Sequence, residues 1–453
     1  MIKFFAYILK LSIFMPTEML RLLLIASLVS LVTCETKVDI KYKKSILELT
    51  LPATDKLIKS VTFIYNVKKV NYKETGVLTT EGWKYKTSAV KLDGADKIVA
   101  SATGYDRKQR PILRTKSSTL YLKPYRGVAL PGRRMRGVVF FRDDFNYIDT
   151  NNWRYEVSAY GGLNREFQVY TNDPRNVFTR SGNLYLKPTI STDDPRFNEN
   201  TLRWGVMDVA RTWGVCTNSA NWGCYREGKY GILPPVMSGK LMSNPTLRYG
   251  VVEVRARISK GDWIWPAIWM LPRDNVYGGW PRSGEIDIME SRGNEVGIGI
   301  SQVSSTLHWG PSPNENRWSR TNGERRTGSW YDSFHTWRLE WRPDSLITFV
   351  DDQIVLSVTP DFWQKGGFGG QNIWAGGERM APFDKEFYLI LNVAVGGTNG
   401  FFPDNYNWGK RKPWANNAQA PDVDFFNARN EWLPTWRGDE TAMIVDYVEF
   451  RTL

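Results

Sequence analysis

Short runs of alternating apolar and polar residues recur along the first part of the chain, separated by glycine, proline and polar residues. The clearest runs are Val38–Lys43, Ile46–Leu51, Val61–Tyr65, Trp83–Thr87 and Lys97–Ala102. A period of two is typical of strands that bury one face. With about six short strands in about 95 residues, this region is predicted to form an immunoglobulin-like β-sandwich.

From Val138 onward, short apolar runs alternate with segments rich in glycine, asparagine, proline and aspartate. The clearest strand candidates are Val251–Ile258, Trp337–Trp341, Ile347–Val350, Phe387–Val393 and Met443–Phe450. No helical apolar period there extends beyond two turns. We therefore predict an all-β domain over residues 138–453, built as a double-sheet jelly roll.

The chain is predicted to begin with a signal region, residues 1–34. After Met19 a basic residue, an apolar run and small residues follow one another, which is the layout of a secretory signal. The β-sandwich occupies residues 35–110, and residues 111–137, with three prolines and five arginines, are predicted to be a linker. We expect a secreted, extracellular protein without stable membrane insertion. The sequence leaves open whether Met1 or Met19 is the true start.

Charge is distributed unevenly between the two domains. The whole chain carries a net charge of +13, and residues 35–130 hold 20 Lys and Arg against 9 Asp and Glu. Residues 137–453 are slightly acidic and contain 19 of the 20 tryptophans. The basic module is either an ordinary solvated surface or a site for anionic polymers such as lipopolysaccharide. Nucleic acid is a poor alternative, because a secreted protein with no recognition motif rarely meets it.

The chain has three cysteines, and Cys34 lies in the signal region. Cys216 and Cys224 remain, eight residues apart in a segment rich in Asn, Gly and Trp. In an oxidising compartment we expect them to form one disulfide, the alternative being two buried thiols. No cluster of His and Cys suggests a catalytic metal.

The candidate chemistry lies in the segment Glu285-Ile-Asp-Ile-Met-Glu290. In a strand, Glu285 and Asp287 share one face while the isoleucines point into a core. Strict alternation would place Glu290 on the core face, so we predict a β-bulge near Met289 that returns it to the face of the other two acids. The alternatives are a surface helix turn or a solvated polar strand.

Three carboxyl groups on one face suit glycoside hydrolysis with retention of configuration. One ionised carboxylate attacks the anomeric carbon, and a protonated one donates to the leaving oxygen and later activates water. Asp287, between the two glutamates, can hydrogen-bond the nucleophile and keep the pKa values of the flanking pair apart.

Several motifs carry a family resemblance that spans residues 140–450. They are Gly161–Thr171, Arg248–Arg257, Gly261–Pro272, Tyr277–Asn294, Leu307–Pro311, Phe334–Trp341 and Leu391–Gly397. They resemble glycoside hydrolase family 16, and most closely its animal β-1,3-glucanases and β-1,3-glucan recognition proteins, also called Gram-negative bacteria-binding proteins. The resemblance implies a concanavalin-like jelly roll in which Glu285 is the nucleophile, Asp287 its supporting acid and Glu290 the general acid/base. Many recognition proteins of this group have lost one or both glutamates, whereas this chain keeps all three acids.

The basic module resembles carbohydrate-binding module family 39. The matching residues are Trp83–Lys86 and Lys91–Ile98, and the rest departs from the pattern because it has few aromatic residues. Whether this module binds glucan therefore stays open in the sequence.

Aromatic and polar residues around the acids are candidate sugar contacts. Trp265, Trp269 and Trp280 flank the acid motif and can stack on sugar rings, the alternative for each being core packing. By family position, His308 is expected to bond a sugar or the surroundings of the nucleophile, and Asn164 to contact sugar.

The resemblance requires no cofactor, but it allows a structural Ca²⁺ near Asp144, Gly182 and Asp446. The expected function is a secreted endo-β-1,3-glucanase acting on laminarin-like or microbial glucan. The competing hypothesis is an innate-immune recognition protein that binds β-1,3-glucan and lipopolysaccharide, with or without hydrolysis. The sequence does not decide between digestive and immune use, nor how strictly β-1,3 linkages are preferred over mixed-linkage glucan.

Overall fold

The computed structural model describes residues 39–43, 46–51, 58–67, 70–79, 82–87, 97–108, 111–114, 118–121 and 137–453. The chain forms two compact units, residues 1–128 and 129–453. The predicted signal region, residues 1–34, lies outside the described residues. Each predicted strand coincides with an observed strand to within three residues at either end.

The first unit contains two antiparallel sheets in its described residues. Its strands are β1 (Asp39–Lys43), β2 (Ile46–Leu51), β3 (Ser60–Val67), β4 (Val70–Thr75), β5 (Val77–Thr79), β6 (Gly82–Thr87), β7 (Lys97–Tyr105), β8 (Pro111–Arg114) and β9 (Ser118–Tyr121). One sheet has the order β1-β2-β6-β5, and the other β4-β3-β7-β8, with β9 also pairing β7. Leu49 and Leu51 of the first sheet share a buried cluster with Phe63 and Tyr65 of the second. The two-layer core agrees with a β-sandwich, and its immunoglobulin-like topology stays a prediction.

The predicted linker, residues 111–137, begins too early. Strands β8 and β9 lie inside it, and both pair with β7. Proline has no N–H to donate to a neighbouring strand, so the sequence pattern indicated a linker at Pro111. Pro111 is in fact the first residue of β8, a position that tolerates proline. The β-sandwich therefore extends at least to Tyr121.

The second unit is an all-β domain with short helices. Its strands are β10 (Val139–Asp143), β11 (Trp153–Tyr155), β12 (Gln168–Tyr170), β13 (Val177–Arg180), β14 (Asn183–Leu186), β15 (Thr189–Ile190), β16 (Val206–Asp208), β17 (Tyr225–Glu227), β18 (Val236–Ser238), β19 (Lys240–Leu247), β20 (Gly250–Arg257), β21 (Ile264–Pro272), β22 (Glu285–Ser291), β23 (Gln302–His308), β24 (Asn322–Arg326), β25 (His335–Arg342), β26 (Ser345–Val350), β27 (Gln353–Val358), β28 (Phe387–Val395) and β29 (Met443–Arg451). The helices are α1 (Glu199–Trp204), α2 (Val209–Trp213), α3 (Phe362–Gly366), α4 (Pro421–Asn427) and α5 (Arg429–Trp432). Nowhere in the described parts of the chain is a helix long and apolar enough to cross a membrane.

Two large antiparallel sheets form the body of this unit. The eight-stranded sheet has the order β13-β14-β29-β20-β25-β26-β27, with β10 also pairing β29, and the seven-stranded sheet has the order β11-β19-β28-β21-β22-β23-β24. Their apolar faces meet in one core, where Val252 and Val254 of β20 share a cluster with Ile268 and Met270 of β21. These four side chains are fully buried, and each buried aliphatic side chain of this kind contributes about 1.5–3 kcal/mol. The predicted jelly roll is confirmed.

The expected disulfide is present between Cys216 and Cys224. It closes a loop that packs against the segment after β11. The N–H of Val157 donates to Thr217 Oγ1 at 2.9 Å, and the N–H of Ala159 donates to the carbonyl of Gly223 at 2.7 Å. The loop is therefore fixed at both ends to a neighbouring part of the domain.

Replacing both cysteines by serine should lower the free energy of unfolding by about 2–3 kcal/mol, because a loop of this length then regains its freedom in the unfolded chain. Denaturant unfolding of the wild type and of the Cys216→Ser/Cys224→Ser variant measures this. Reducing the wild type should reproduce the loss and leave the variant unchanged. Equal stability of the oxidised wild type and the variant would contradict the prediction.

Candidate active site

Strand β22 contains the predicted bulge. Asp287 pairs with Thr306 of β23, whereas Glu290 pairs with Ser304, so three steps along β22 correspond to two along its neighbour. The register with β21 on the other side shifts at the same place, since Ile268 pairs with Met289 and the next residue with Asp287. One extra residue is therefore accommodated between Asp287 and Glu290.

The bulge places the three acids on the same face. Ile286, Ile288 and Met289 are buried in the core between the sheets, and Glu285, Asp287 and Glu290 line a cleft on the opposite face of the seven-stranded sheet. Strands β19, β21, β23, β24 and β28 of the same sheet also line the cleft, so the cleft crosses the sheet. Its volume is about 790 Å³.

Glu285 is held by groups from both sides. The indole N–H of Trp280 donates to its Oε2 at 2.8 Å. His308 of the neighbouring strand β23 is paired with Glu285. Its Nε2 lies 3.9 Å from Oε1 of Glu285 and 3.3 Å from Oδ2 of Asp287. Asp287 Oδ2 is buried without a hydrogen bond, and the imidazole of His308 faces it.

The tautomer of His308 follows from its other neighbours. Asn316 Oδ1 accepts from the backbone N–H groups of Trp309 and Trp318, both at 3.2 Å, which fixes the orientation of its amide. Its NH₂ group then lies 2.8 Å from His308 Nδ1 and must donate to it. The ring proton is therefore on Nε2, which faces Asp287.

Glu290 lies against a stack of flat groups. The indole N–H of Trp265 donates to its Oε1 at 3.0 Å. Phe401 stacks on Trp265 with ring centroids 3.8 Å apart, and the Arg292 guanidinium lies 3.8 Å from the Phe401 centroid. Burial lowers the pKa of Arg292 to about 10, and the charge of Glu290 opposes that shift. Arg292 therefore lies in the cleft beside the acids.

Burial has a large effect on the acids themselves. It raises the pKa of Glu285 to about 8, with the charge of Asp287 adding to the effect. Burial also raises the pKa of Asp287 well above its ordinary value, opposed by a hydrogen bond to Glu285. The pKa of Glu290 is raised by burial as well, opposed by His308 and by the Trp265 N–H. The three carboxyls cannot all ionise at neutral pH, and the cluster keeps protons that exposed carboxyls would release.

The remaining predicted contact residues also line the cleft. Trp269 donates its indole N–H to Asn392 Oδ1 at 2.6 Å, and the Lys240 ammonium lies 5.3 Å from its ring centroid. Asn164 donates to Glu166 Oε1 at 2.9 Å and accepts at Oδ1 from Asn399 at 3.0 Å. Burial raises the pKa of Glu166. All the predicted sugar-contact residues are thus brought to one cleft.

Several cleft residues were not predicted from the sequence. They are Glu156, Lys240, Trp318, Asn392 and Phe401. Asn392 could have been predicted from the alternation along β28. It is a polar residue within the apolar run of that strand, on the face opposite Leu391. Trp318 and Phe401 lie in loops, where no periodicity indicates which side chain faces the cleft.

The predicted calcium ligands were tested against their contacts. Asp144 accepts from Arg142 at 2.6 Å, and Asp446 accepts from Arg255. Gly182 does lie beside Asp144, whose backbone oxygen would be 3.9 Å from a Cβ at that position. Because both carboxylates are bound to guanidinium groups, these residues do not fit a Ca²⁺ site.

The acid cluster also contains a metal-capable set. Glu285, Asp287 and His308 each bring one ligand atom within 4.8 Å of the others. The cleft is lined by aromatic rings and contains several carboxyl groups side by side. Such an arrangement suits a different chemistry, in which a protonated carboxyl donates to a glycosidic oxygen and an ionised one attacks the anomeric carbon.

The chain is similar to a known family, to two characterised relatives and to a solved structure. A family model described as Glycosyl hydrolases family 16 matches residues 216–375. A β-1,3-glucan-binding protein of Penaeus monodon is 46% identical over 333 residues, which is 68% of this chain and 89% of that protein. A glucan endo-1,3-β-glucosidase of Cryptopygus antarcticus is 33% identical over 288 residues, or 62% of this chain and 88% of that protein. The solved laminarinase of Rhodothermus marinus is 25% identical over 71% of this chain and 99% of its own, with a TM-score of 0.45.

The raised pKa values predict how stability depends on pH. The Glu285 carboxyl has a pKa of about 8 in the folded protein and an ordinary pKa of 4.5 in the unfolded chain. Between these two values the folded protein holds a proton that the unfolded chain has released. The free energy of unfolding therefore falls as the pH rises from 4.5 through about 8. Glu285→Gln should therefore stabilise the protein by about 1–3 kcal/mol more at pH 8 than at pH 5. Denaturant unfolding of both proteins across this range is the measurement.

The matched control for this prediction is Glu199→Gln on helix α1, whose exposed carboxylate pairs with Arg429. Its stability difference from the wild type should be small at both pH values. A Glu285→Gln effect that does not change with pH would contradict the raised pKa.

Proposed function

Because the chain belongs to glycosyl hydrolases family 16, we propose that it is a secreted endo-β-1,3-glucanase that hydrolyses laminarin-like or microbial β-glucan with retention of configuration. The observation that carries this proposal is the intact set of three acids, which the bulge in β22 directs into one cleft. A cleft that crosses the sheet lets a polysaccharide chain lie through it, which supports cleavage within the chain. The glucosidase name of the Cryptopygus antarcticus relative is in agreement.

In the first step Glu285 is the nucleophile. It attacks in its ionised form, which the hydrogen bond from the Trp280 N–H stabilises against the burial that raises its pKa. Its oxygen forms a bond to the anomeric carbon as the bond from that carbon to the glycosidic oxygen breaks. Glu290, whose pKa is raised by burial, gives its proton to the leaving oxygen.

In the second step Glu290 acts as the base. It removes a proton from water, the water oxygen bonds to the anomeric carbon, and the ester bond to Glu285 breaks. Asp287, whose pKa is raised well above the ordinary value, keeps its proton beside Glu285 as the Glu285 carboxylate is released. His308, with its Nε2–H toward Asp287, holds that acid in place.

A second candidate function is recognition of microbial polysaccharide. The Penaeus monodon relative is named a β-1,3-glucan-binding protein, and the basic module of this chain has a net charge of +11 over residues 35–130. A positive surface attracts anionic polymers such as lipopolysaccharide. Recognition and hydrolysis use different parts of the chain in this view, so the two functions are compatible.

Glu285→Gln should reduce the release of reducing ends from laminarin by at least ~1000-fold, because an amide cannot form the glycosyl ester. Binding of insoluble β-1,3-glucan should persist, since the aromatic walls are unchanged. Glu199→Gln should keep wild-type activity. If the wild type released no reducing ends between pH 5 and 7, the glucanase proposal would fail even though glucan binding remained.

If the basic module recognises lipopolysaccharide, binding by the full-length Glu285→Gln protein should fall at least ~10-fold between low salt and 0.5 M salt, because salt screens exposed charges. Binding of neutral laminarin by the same protein is the control and should change little. Absence of lipopolysaccharide binding at low salt would remove the second candidate function.

A further inference from the structure

Trp222 is an unusually exposed aromatic side chain. It is 79% exposed, although tryptophan is normally well buried. It lies in the loop closed by the disulfide between Cys216 and Cys224. The cleft chemistry described above makes no use of it.

The backbone that presents Trp222 is strained but well held. Asn221 and Trp222 have φ values of 47° and 56°, a region that L side chains rarely adopt. Arg226 Nη2 donates to the carbonyl of Asn221 at 3.2 Å and to that of Ala159 at 2.6 Å. The disulfide and these hydrogen bonds hold the loop in this strained conformation. Strain that is held in this way is typical of functional sites, which suggests that the position of the Trp222 ring matters for function.

Trp222 borders a cavity that lies beside the catalytic cleft. This cavity has a volume of about 410 Å³. Four of its lining residues, Tyr160, Gly161, Gly162 and Glu166, also line the cleft. Asn218, from the same disulfide loop as Trp222, lines the cleft too. A polysaccharide that leaves the cleft at this end therefore meets the loop that carries Trp222.

The walls of the cavity match the surface of a sugar. Ile232, Pro234 and Pro235 provide apolar contacts, whereas Arg165 and Asp422 provide polar groups. Sugar rings present flat apolar faces bordered by hydroxyl groups, which suits an aromatic face with polar groups beside it.

We propose that Trp222 is a distal sugar-binding platform that extends the β-1,3-glucan site beyond the cleft and makes the protein prefer long chains. The proposal rests on the proposed function for the identity of the sugar. The occupant is a neutral glucan chain, because the cavity shares four lining residues with the cleft that holds the reacting bond. Short oligosaccharides fill the cleft alone and do not reach the platform.

The test uses Trp222→Ala in the full chain, on the Glu285→Gln background, so that oligosaccharides are bound and not cut. Calorimetric titration with laminaritriose and with a long laminari-oligosaccharide gives the dissociation constants. We expect about 3- to 10-fold weaker binding of the long chain, as for loss of one aromatic stacking contact, and unchanged binding of the trisaccharide.

Two further variants control the experiment. Trp204→Ala removes an equally prominent tryptophan, 69% exposed, that lines neither the cleft nor the cavity, and it should leave both constants unchanged. Trp222→Phe keeps a flat ring and should restore most of the long-chain affinity. An unaltered trisaccharide constant also shows that Trp222→Ala has kept its fold.

The outcomes separate the two proposals. Equal affinity of Trp222→Ala and its parent for the long chain overturns the platform, as does equal weakening for both lengths. In the first of these cases Trp222 would be a contact for another macromolecule and not for glucan. If the wild type cuts no glucan while the length-dependent loss is observed, the glucanase proposal fails and the platform remains. If no length of glucan binds, both are overturned.

Discussion

The register shift in strand β22 determines whether this sheet can carry a catalytic site. Between Asp287 and Glu290 one residue more lies on β22 than on β23. Without it, Glu290 would point between the sheets, where burial of a carboxyl among aliphatic side chains is highly unfavourable. With it, Met289 takes the core position and Glu290 joins the other acids. The geometry of the cleft and the packing of the core therefore depend on the same backbone irregularity.

Desolvation then sets the electrostatics of the cluster. Three carboxyls in one buried cleft suppress one another's ionisation, so protons are retained at neutral pH. The indole N–H groups of Trp265 and Trp280 each hold one glutamate. These donors carry no full charge, so they stabilise a carboxylate without forming an ion pair that would keep it permanently ionised. Such an environment suits residues that must alternate between charged and neutral forms.

The sequence predicted the strands, the two-sheet core of the second unit and the bulge, because alternation and charge avoidance are local properties. It also identified the tryptophans beside the acids. It misplaced the start of the linker, since an edge strand that begins at Pro111 has the same composition as a linker. It missed Trp318 and Phe401, because loop side chains are oriented by packing partners far away in the chain. The stack of Arg292 on Phe401 illustrates this, with 109 residues separating its members.

Stability gives a physical argument for catalysis over recognition alone. Sugar binding depends on the aromatic walls, and amide side chains in place of the acids would preserve those walls. Buried carboxyls with raised pKa values reduce the stability of the folded protein at neutral pH. A protein needed only for binding would gain stability by losing these acids, since substitutions that relieve such groups at functional sites commonly stabilise. The presence of all three carboxyls in one desolvated cleft therefore supports the proposed glucanase reaction, which uses each of them.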